Sequence, residues 1–269
     1  MSRKEKLAST IALLAGLLFL SPVLYSIWMS FQTAQSYYQG GFAFTLENYA
    51  TAIGQFNFAR YLLNSLIVSG LVTIAGLTVA TMAAFAFARF DFRGRDLLFG
   101  ATVATLMIPS HITLIPNYLT LASVGLLDSY AGLILPAISN GFAAFFLRQY
   151  IRGIPRALDE AAYMDGATPL KVLWRVIVPI ARPAIFAMGL FIFLTEWNNY
   201  IWPLVAVGEQ DLYTLQLGLA RLYKINPGEG MVDWPLVMAA STITLLPVLL
   251  GFFLVERHLV RGITMGAVK

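Results

Sequence analysis

The sequence predicts an all-α, polytopic membrane protein with six transmembrane helices. Hydrophobic residues make up 58% of the 269-residue chain, charged residues only 12%, and the mean hydropathy is +0.72. A water-soluble domain carries about 25% charged residues, so this chain has too little charge to cover a surface that faces water. Helices satisfy their own backbone hydrogen bonds in lipid, and they are therefore the predicted elements.

Six apolar stretches are long enough to cross a hydrocarbon core of about 30 Å, which takes about 20 helical residues. They are residues 7–31, 61–86, 97–119, 130–147, 183–207 and 234–255. The third contains Pro109 and Pro116, which remove backbone donors, so we expect it to be kinked or broken. The fourth contains Pro136 and Gly141 and is expected to bend.

The distribution of basic residues predicts that both termini are cytoplasmic. Inner loops of membrane proteins carry the excess of Lys and Arg. If the N-terminus is inside, all of the 18 Lys and Arg residues fall on the inner side except Arg60, Arg221 and Lys224. The same topology explains the net charge of +4, so no nucleic-acid partner is predicted.

Residues 154–169, the longest polar interruption on the predicted cytoplasmic side, are expected to form two short helices. Pro155 suits the first position of a helix, and Gly166 suits the left-handed residue that ends one. Thr168 is expected to cap a second helix that Pro169 opens.

The residues alone leave two interpretations of the first short helix. Ala161 and Ala162 leave one surface shallow, so another protein could approach its backbone closely, and Glu160 can offer that protein a carboxylate. The alternative is an amphipathic helix that lies on the membrane surface. The spacing of the residues does not separate the two.

Several function classes lack their motifs in this sequence. No Gly-Lys pair occurs, which excludes a nucleotide-binding P-loop. The chain has no Cys, and His111 and His258 are far apart, so no metal-binding spacing is present. Glu196 and His111 are the main ionisable residues within the spans, whereas ion-coupled carriers usually need intramembrane carboxylates or a relay. A path whose energy comes from another subunit fits these absences best.

The segment 160–179 resembles the EAA signature of ABC-importer permease subunits, E-A-A-x3-G-x9-I-x-L-P. The matching residues are Glu160, Ala161, Ala162, Gly166 and Pro179. Val176 and Val178 stand at the two aliphatic positions, and both substitutions keep an apolar face.

Further motifs resemble the maltose-type carbohydrate-uptake group of these permeases and follow in the same order along most of the chain. They are Asn64-Ser65-Leu66, Leu147-Arg148-Gln149-Tyr150, Asp165-Gly166-Ala167, residues 196–204 and residues 260–269. The six-span form with a short external region resembles the smaller of the two permeases in such systems.

The resemblance implies the type I ABC-importer permease fold in the plasma (inner) membrane of a prokaryote. It implies a second homologous permease, a cytoplasmic ATPase dimer and an extracytoplasmic solute-binding protein as partners, within the lipid bilayer. The chain itself would be no enzyme and bind no cofactor, with ATP and Mg on the ATPase. The implied ATPase-coupling residues are Arg156, Leu158, Asp159, Glu160, Ala161, Ala162, Met164, Asp165 and Gly166.

Three segments are predicted along the chain. Residues 1–60 form the first transmembrane helix and an external loop, and residues 61–257 form the core permease domain with the coupling helix near 155–166. Residues 258–269 form a cytoplasmic tail.

A polar stretch interrupts the fifth span and predicts a substrate path. Its residues are Glu196, Trp197, Asn198, Asn199 and Tyr200. Counted from Pro183, Glu196 lies about 20 Å into the span at 1.5 Å per residue. Amides and aromatic rings there suit sugar hydroxyls and sugar rings. The alternative is helix–helix hydrogen bonding with the partner permease, and the resemblance favours it because the larger permease supplies most sugar contacts in that family.

The predicted function is that of a permease subunit in an ATP-driven, binding-protein-dependent importer for sugars or oligosaccharides. Glycerol phosphate or another small polar solute is the alternative substrate, but no intramembrane Arg or Lys cluster is present to bind a phosphate. An ion-coupled secondary carrier and a structural membrane subunit are the alternatives from other classes.

Overall fold

The computed structural model describes residues 3–109, 111–222 and 232–266, and for residues 3, 4, 6–8 and 253–266 it describes the backbone alone. The described residues form helices and loops, and one isolated antiparallel bridge, Gln32 with Phe44, is their only strand-type pairing. The all-α prediction is thus confirmed for these ranges.

Helices follow one another along the chain with short connections. The first eight are α1 (Arg3–Ser30), α2 (Ala34–Gln39), α3 (Glu47–Gly54), α4 (Phe58–Arg89), α5 (Arg95–Thr105), α6 (Leu114–Ser123), α7 (Tyr130–Ile134) and α8 (Gly141–Arg152). The next are α9 (Ala157–Met164), α10 (Pro169–Val172), α11 (Val178–Ile180), α12 (Arg182–Trp197), α13 (Ile201–Ala206), α14 (Leu215–Leu222) and α15 (Trp234–Gly266). A π-helical segment, Leu173–Ile177, joins α10 to α11, and single 3₁₀ turns occupy Leu135–Ala137 and Gln210–Leu212.

The described ranges contain three helices, or up to five spans if each bent pair counts as one, that are long and apolar enough to cross a membrane. The continuous ones are Ser9–Ser30, Phe58–Arg89 and Trp234–Phe252. Two bent pairs raise the number to five, namely Tyr130–Ala137 with Gly141–Arg152 at 44° and Pro169–Ile180 with Arg182–Trp197 at 84°. The count of six spans stays a prediction.

The predicted third span is interrupted, as expected from its prolines. α5 has 11 residues and α6 has 10, and at 1.5 Å per residue each is about half as long as a bilayer core is thick. Pro109 lies in the break between them, whereas Pro116 lies in the first turn of α6, where a missing N–H costs nothing. The predicted bend of the fourth span is also confirmed, because Pro136 lies in the 3₁₀ turn before α8.

The chain divides into two compact units. The first comprises Met1–Leu62 and Leu217–Pro247. Within it, the segment after α1 is ordered by a buried amide, because Asn48 donates to the carbonyls of Ser30 at 2.8 Å and Gln32 at 2.7 Å. The ring of Phe31 stacks on Phe44, with their centroids 5.4 Å apart. Part of the aromatic content of this loop therefore packs within the unit itself.

The second unit comprises Leu63–Gln216 and Val248–Lys269, and it contains both candidate sites. A polar cluster near the start of α4 fixes its loops. Asn64 donates to the carbonyls of Asp211 and Tyr213 at 2.8 and 2.9 Å and accepts a hydrogen bond from the hydroxyl of Tyr130 at 2.7 Å. The neighbouring Ser65 hydroxyl accepts from the amide of Leu215. This cluster ties the segment before α14 to α4 and α7.

Candidate functional site

α9 is a short helix with a well-defined C-terminus. Gly166 follows it with φ +75°, a left-handed conformation that favours glycine. The amides of Gly166 and Ala167 donate to the carbonyls of Tyr163 at 2.9 Å and Ala162 at 3.0 Å, which is the Schellman pattern of hydrogen bonds. The prediction that Gly166 ends this helix is confirmed.

The N-terminus of α9 lies two residues later than predicted. Pro155 precedes the N-cap residue Arg156, and the amide of Leu158 donates to the Pro155 carbonyl at 3.3 Å, so a tight turn comes first. Thr168 and Pro169 occupy the predicted N-cap and first positions of α10. The Thr168 side chain, however, makes no capping hydrogen bond, so its predicted capping role is wrong.

A buried ion pair joins α9 to the end of α4. Nε of Arg89 lies 2.5 Å from Oδ2 of Asp159, and the two side chains are only 5% and 7% exposed. Nη2 of Arg89 also donates to the Ile154 carbonyl at 3.0 Å. Burial raises the pKa of Asp159, and the charge of Arg89 opposes that increase. One arginine thus holds both the helix and the segment that leads into it.

Most of the predicted ATPase-coupling residues lie on the surface of α9 and its ends. Arg156, Leu158, Glu160, Ala161, Met164, Asp165 and Gly166 are exposed, and Ala162 is half-buried. Met164 is 88% exposed and Leu158 43%, so apolar area is available to a partner. Asp159 is the exception, because its carboxylate is buried against Arg89. The carboxylate of Asp159 therefore binds the end of α4.

A cavity of about 440 Å³ lies beside the break between α12 and α13. Its lining residues are His111, Thr113, Leu114, Asn117, Pro136, Ala137, Thr195, Glu196, Asn198, Asn199, Tyr200, Ile201 and Trp202. Three interruptions of helix meet here: the loop between α5 and α6, the bend before α8, and residues 198–200. Non-helical backbone within a span is found where it lines a cavity or is covered by protein.

Asn199 fixes the conformation of the break after α12. Its Nδ2 donates to Oε2 of Glu196 at 3.1 Å, and its Oδ1 accepts from the amide of Trp202 at 3.3 Å. The indole Nε1 of Trp202 donates to the Gly132 carbonyl at 3.1 Å, which anchors α13 to α7. The carboxylate of Glu196 is held beside the cavity as a result.

Four of the five predicted substrate-path residues line this cavity, namely Glu196, Asn198, Asn199 and Tyr200. Trp197 does not, because its ring is 2% exposed and stacks on Phe193 with centroids 5.5 Å apart. The ring of Trp197, at the end of α12, thus packs in the interior and not at the cavity.

His111, Thr113 and Asn117 were not predicted as site residues. They enter the cavity because α5 and α6 are separated near Pro109. In the sequence, these polar residues stand next to Pro109 within an apolar segment, which indicates a break in the helix. It does not indicate which other part of the chain packs against that break.

These features define a membrane permease component: interrupted helices around a polar cavity, and a short exposed helix anchored to a long apolar one. The fold is that of a solved bacterial ABC transporter involved in the import of the acidic polysaccharide alginate. The TM-score is 0.83 at 24% sequence identity, and the similarity covers 96% of this chain and 98% of the other. The type I ABC-importer permease fold is thereby established.

The chain belongs to the family of binding-protein-dependent transport system inner membrane components, whose sequence profile matches residues 76–265. It is 33% identical over 210 residues to the arabinooligosaccharides transport system permease protein AraQ of Bacillus subtilis (strain 168), covering 78% of this chain and 73% of AraQ. It is 36% identical over 206 residues to the sn-glycerol-3-phosphate transport system permease protein UgpE of Escherichia coli O157:H7, covering 77% and 73%.

Family membership confirms three predictions. The chain is an ABC-importer permease component, it acts in binding-protein-dependent transport, and it resides in the inner membrane. An ion-coupled carrier, the main alternative from another class, does not fit this family.

Proposed function

We propose that this chain forms half of the translocation path of a sugar or oligosaccharide importer and that α9 receives the driving force from a cytoplasmic ATPase. The partners would be a second homologous permease, the ATPase dimer and an extracytoplasmic solute-binding protein. A solved alginate transporter in complex with a pentasaccharide-bound periplasmic protein shares the fold, with a TM-score of 0.67. ATP and Mg would be bound by the ATPase and not by this chain.

The single observation that carries the coupling proposal is the anchorage of α9. An exposed helix transmits force only if it is attached to what must move. Arg89 ends the 32-residue helix α4 and binds both Asp159 and the Ile154 carbonyl. A displacement of α9 would therefore pass directly into α4.

The surface of α9 supports docking rather than a position in lipid headgroups. Glu160 and Asp165 are exposed beside Met164, whereas helices that lie on membranes are usually rich in Lys and Arg on their polar face. Glu160 would meet a basic group of the ATPase, and Met164 and Leu158 would fill apolar depressions in it.

The topology stays part of this proposal. Six spans with both termini in the cytoplasm would place α9 beside the ATPase, as the distribution of Lys and Arg indicates. The proposed segments are residues 1–60, 61–257 and 258–269. The backbone of α15 continues to Gly266, and residues 267–269 of the predicted tail lie outside the described residues.

The substrate proposal follows from the relatives and the cavity. AraQ is named for arabinooligosaccharides, and amides, hydroxyls and a tyrosine line the cavity here. Glycerol phosphate is the second candidate because UgpE is named for it and is equally similar to this chain.

Cross-linking tests the proposal directly, because the chain contains no Cys. A Met164→Cys variant, treated in native membranes with a short thiol–amine cross-linker, should join this chain to the ATPase. Glu209→Cys is the control, because Glu209 is exposed in the predicted external segment and should give no ATPase adduct. If both variants or neither capture the ATPase from an intact complex, α9 is not its contact.

A further inference from the structure

We infer that the cavity beside Glu196 carries a negative electrostatic potential and selects neutral, hydroxyl-rich solutes over anions. This inference rests on the proposed substrate path and names its substrate class. The expected ligand is an uncharged saccharide, and phosphate esters and uronates should be disfavoured.

The cavity lining is acidic. Among the described residues that line it, Glu196 is the only acidic one, and none is Lys or Arg. Hydrogen bonding from Asn199 to Oε2 keeps the carboxylate in place. A cleft lined by one sign of charge with low-dielectric walls focuses the field and can change the local concentration of an ion by about tenfold or more.

The other charged or titratable features near the cavity do not reverse this sign. The C-terminal end of α12 brings a partial negative charge, and the N-terminal end of α6 brings a partial positive charge, each about half a unit. These two partial charges have opposite signs and oppose each other. His111 and Tyr200 are the other titratable side chains in the lining.

The polar side chains at the end of α12 and just after it also favour ligands that donate. Nδ2 of Asn198 is taken up by the Leu194 carbonyl at 2.8 Å, and the hydroxyl of Thr195 donates to the Phe191 carbonyl at 2.8 Å. Nδ2 of Asn199 is directed to Glu196. Oδ1 of Asn199 accepts from the Trp202 amide and Oδ1 of Asn198 accepts from Nε2 of Gln216 at 3.4 Å, and each amide oxygen keeps a second lone pair. Sugar hydroxyls can donate to such oxygens, whereas phosphate and carboxylate groups can only accept.

Charge-selective labelling of a single cysteine tests the potential without a known substrate. A Thr195→Cys variant places the only thiol of this chain at the cavity. Its rates of modification by a cationic trimethylammonium-ethyl and an anionic sulfonato-ethyl methanethiosulfonate are compared in the membrane-embedded complex, with adducts on this chain read by mass spectrometry. Ser123→Cys, exposed at the end of α6 and outside the cavity lining, is the reference.

We expect the cationic-to-anionic rate ratio at position 195 to exceed that at position 123 by about tenfold. Adding Glu196→Gln should bring the ratio close to the reference, and Glu196→Asp should preserve it. Equal ratios at the two positions, a faster anionic reagent at position 195, or no response to Glu196→Gln would overturn the inference. Cross-linking of α9 is a separate measurement, so either result can fail while the other holds.

Discussion

Arg89 and Asp159 form a buried ion pair, 2.5 Å between Nε and Oδ2, that connects the last residue of α4 to the middle of α9. Arg89 ends the 32-residue helix α4, and Asp159 lies on the short helix α9, most of whose other residues are exposed. The pair therefore links the surface helix directly to the long apolar helix.

Removing one partner of this pair should loosen α9. Asp159→Asn leaves the Arg89 charge buried without a counter-ion, which typically costs about 3–5 kcal/mol. We expect faster amide exchange in α9 and a loss of uptake that exceeds the loss of ATP hydrolysis in the reconstituted complex. Asp96→Asn is the matched control, because its ion pair with Arg95 is exposed and should contribute little. Equal rates of amide exchange in α9 of the two variants would show that the Arg89–Asp159 pair does not stabilise this helix.

Reversing the charge of Glu160 should weaken ATPase binding and leave membrane insertion intact. In Glu160→Lys a like charge would face the proposed basic group, so we expect affinity to fall by at least about tenfold. The measurement is the amount of ATPase that co-purifies with the chain at increasing salt concentration. Glu47→Lys, exposed in the first unit, should retain the ATPase. Normal ATP-driven uptake by the Glu160→Lys complex would count against docking through α9.

Substitutions of Gly166 should act through backbone conformation alone. A Cβ there would meet no atom within 4 Å, but φ is +75°, a region that costs most residues about 1–2 kcal/mol. We therefore expect uptake to fall in the order Gly, Asn, Ala, Val, with Asn tolerated because it visits this region readily. Gly166→Asp should follow Asn in conformation but also add charge to the docking surface. Gly54→Ala, in open space at negative φ, should be neutral, and a ranking by side-chain volume instead would contradict the backbone explanation.

Replacing the donating amide of Asn199 by a carboxylate should be tolerated only if residue 196 becomes the hydrogen-bond donor. Asn199→Asp brings two carboxylates together at a contact now 3.1 Å long, and we expect a loss of about 1–3 kcal/mol in stability. The double variant Asn199→Asp with Glu196→Gln reverses donor and acceptor and should recover most of it. Thermal inactivation of the purified complex measures the difference, and failure of the double variant to recover would show that the break is held by other contacts.

Local features of the sequence could be predicted because they depend on residues that are close along the chain. Gly166 ends α9 because its left-handed conformation follows from the residue type, and the breaks near Pro109 and Pro136 follow from missing backbone donors. The polar stretch around Glu196 was likewise evident as an interruption of an apolar segment.

Contacts between distant segments could not be predicted in the same way. Nothing in the spacing pairs Arg89 with Asp159 rather than with another carboxylate, so the sequence does not predict this contact. The three breaks around the cavity are separated by many residues, and only their packing brings His111 and Asn117 to Glu196. Composition does not say which face of α12 a residue occupies. It therefore does not separate the buried Trp197 from its neighbours that line the cavity.

The π-helical segment Leu173–Ile177 has a consequence for which parts of the chain can lose a residue. A π turn holds one more residue than an α turn, and here it stands just before Pro179 and the 84° bend into α12. Deleting one residue from the segment would let it wind as an ordinary α turn, and the two changes nearly cancel, so α12 should keep its direction. Deleting one residue from α12 between Arg182 and Glu196 would instead rotate Glu196 by about 100° and carry it away from its neighbours. The chain before the 84° bend can therefore lose a residue without moving the far end of α12, and α12 itself cannot.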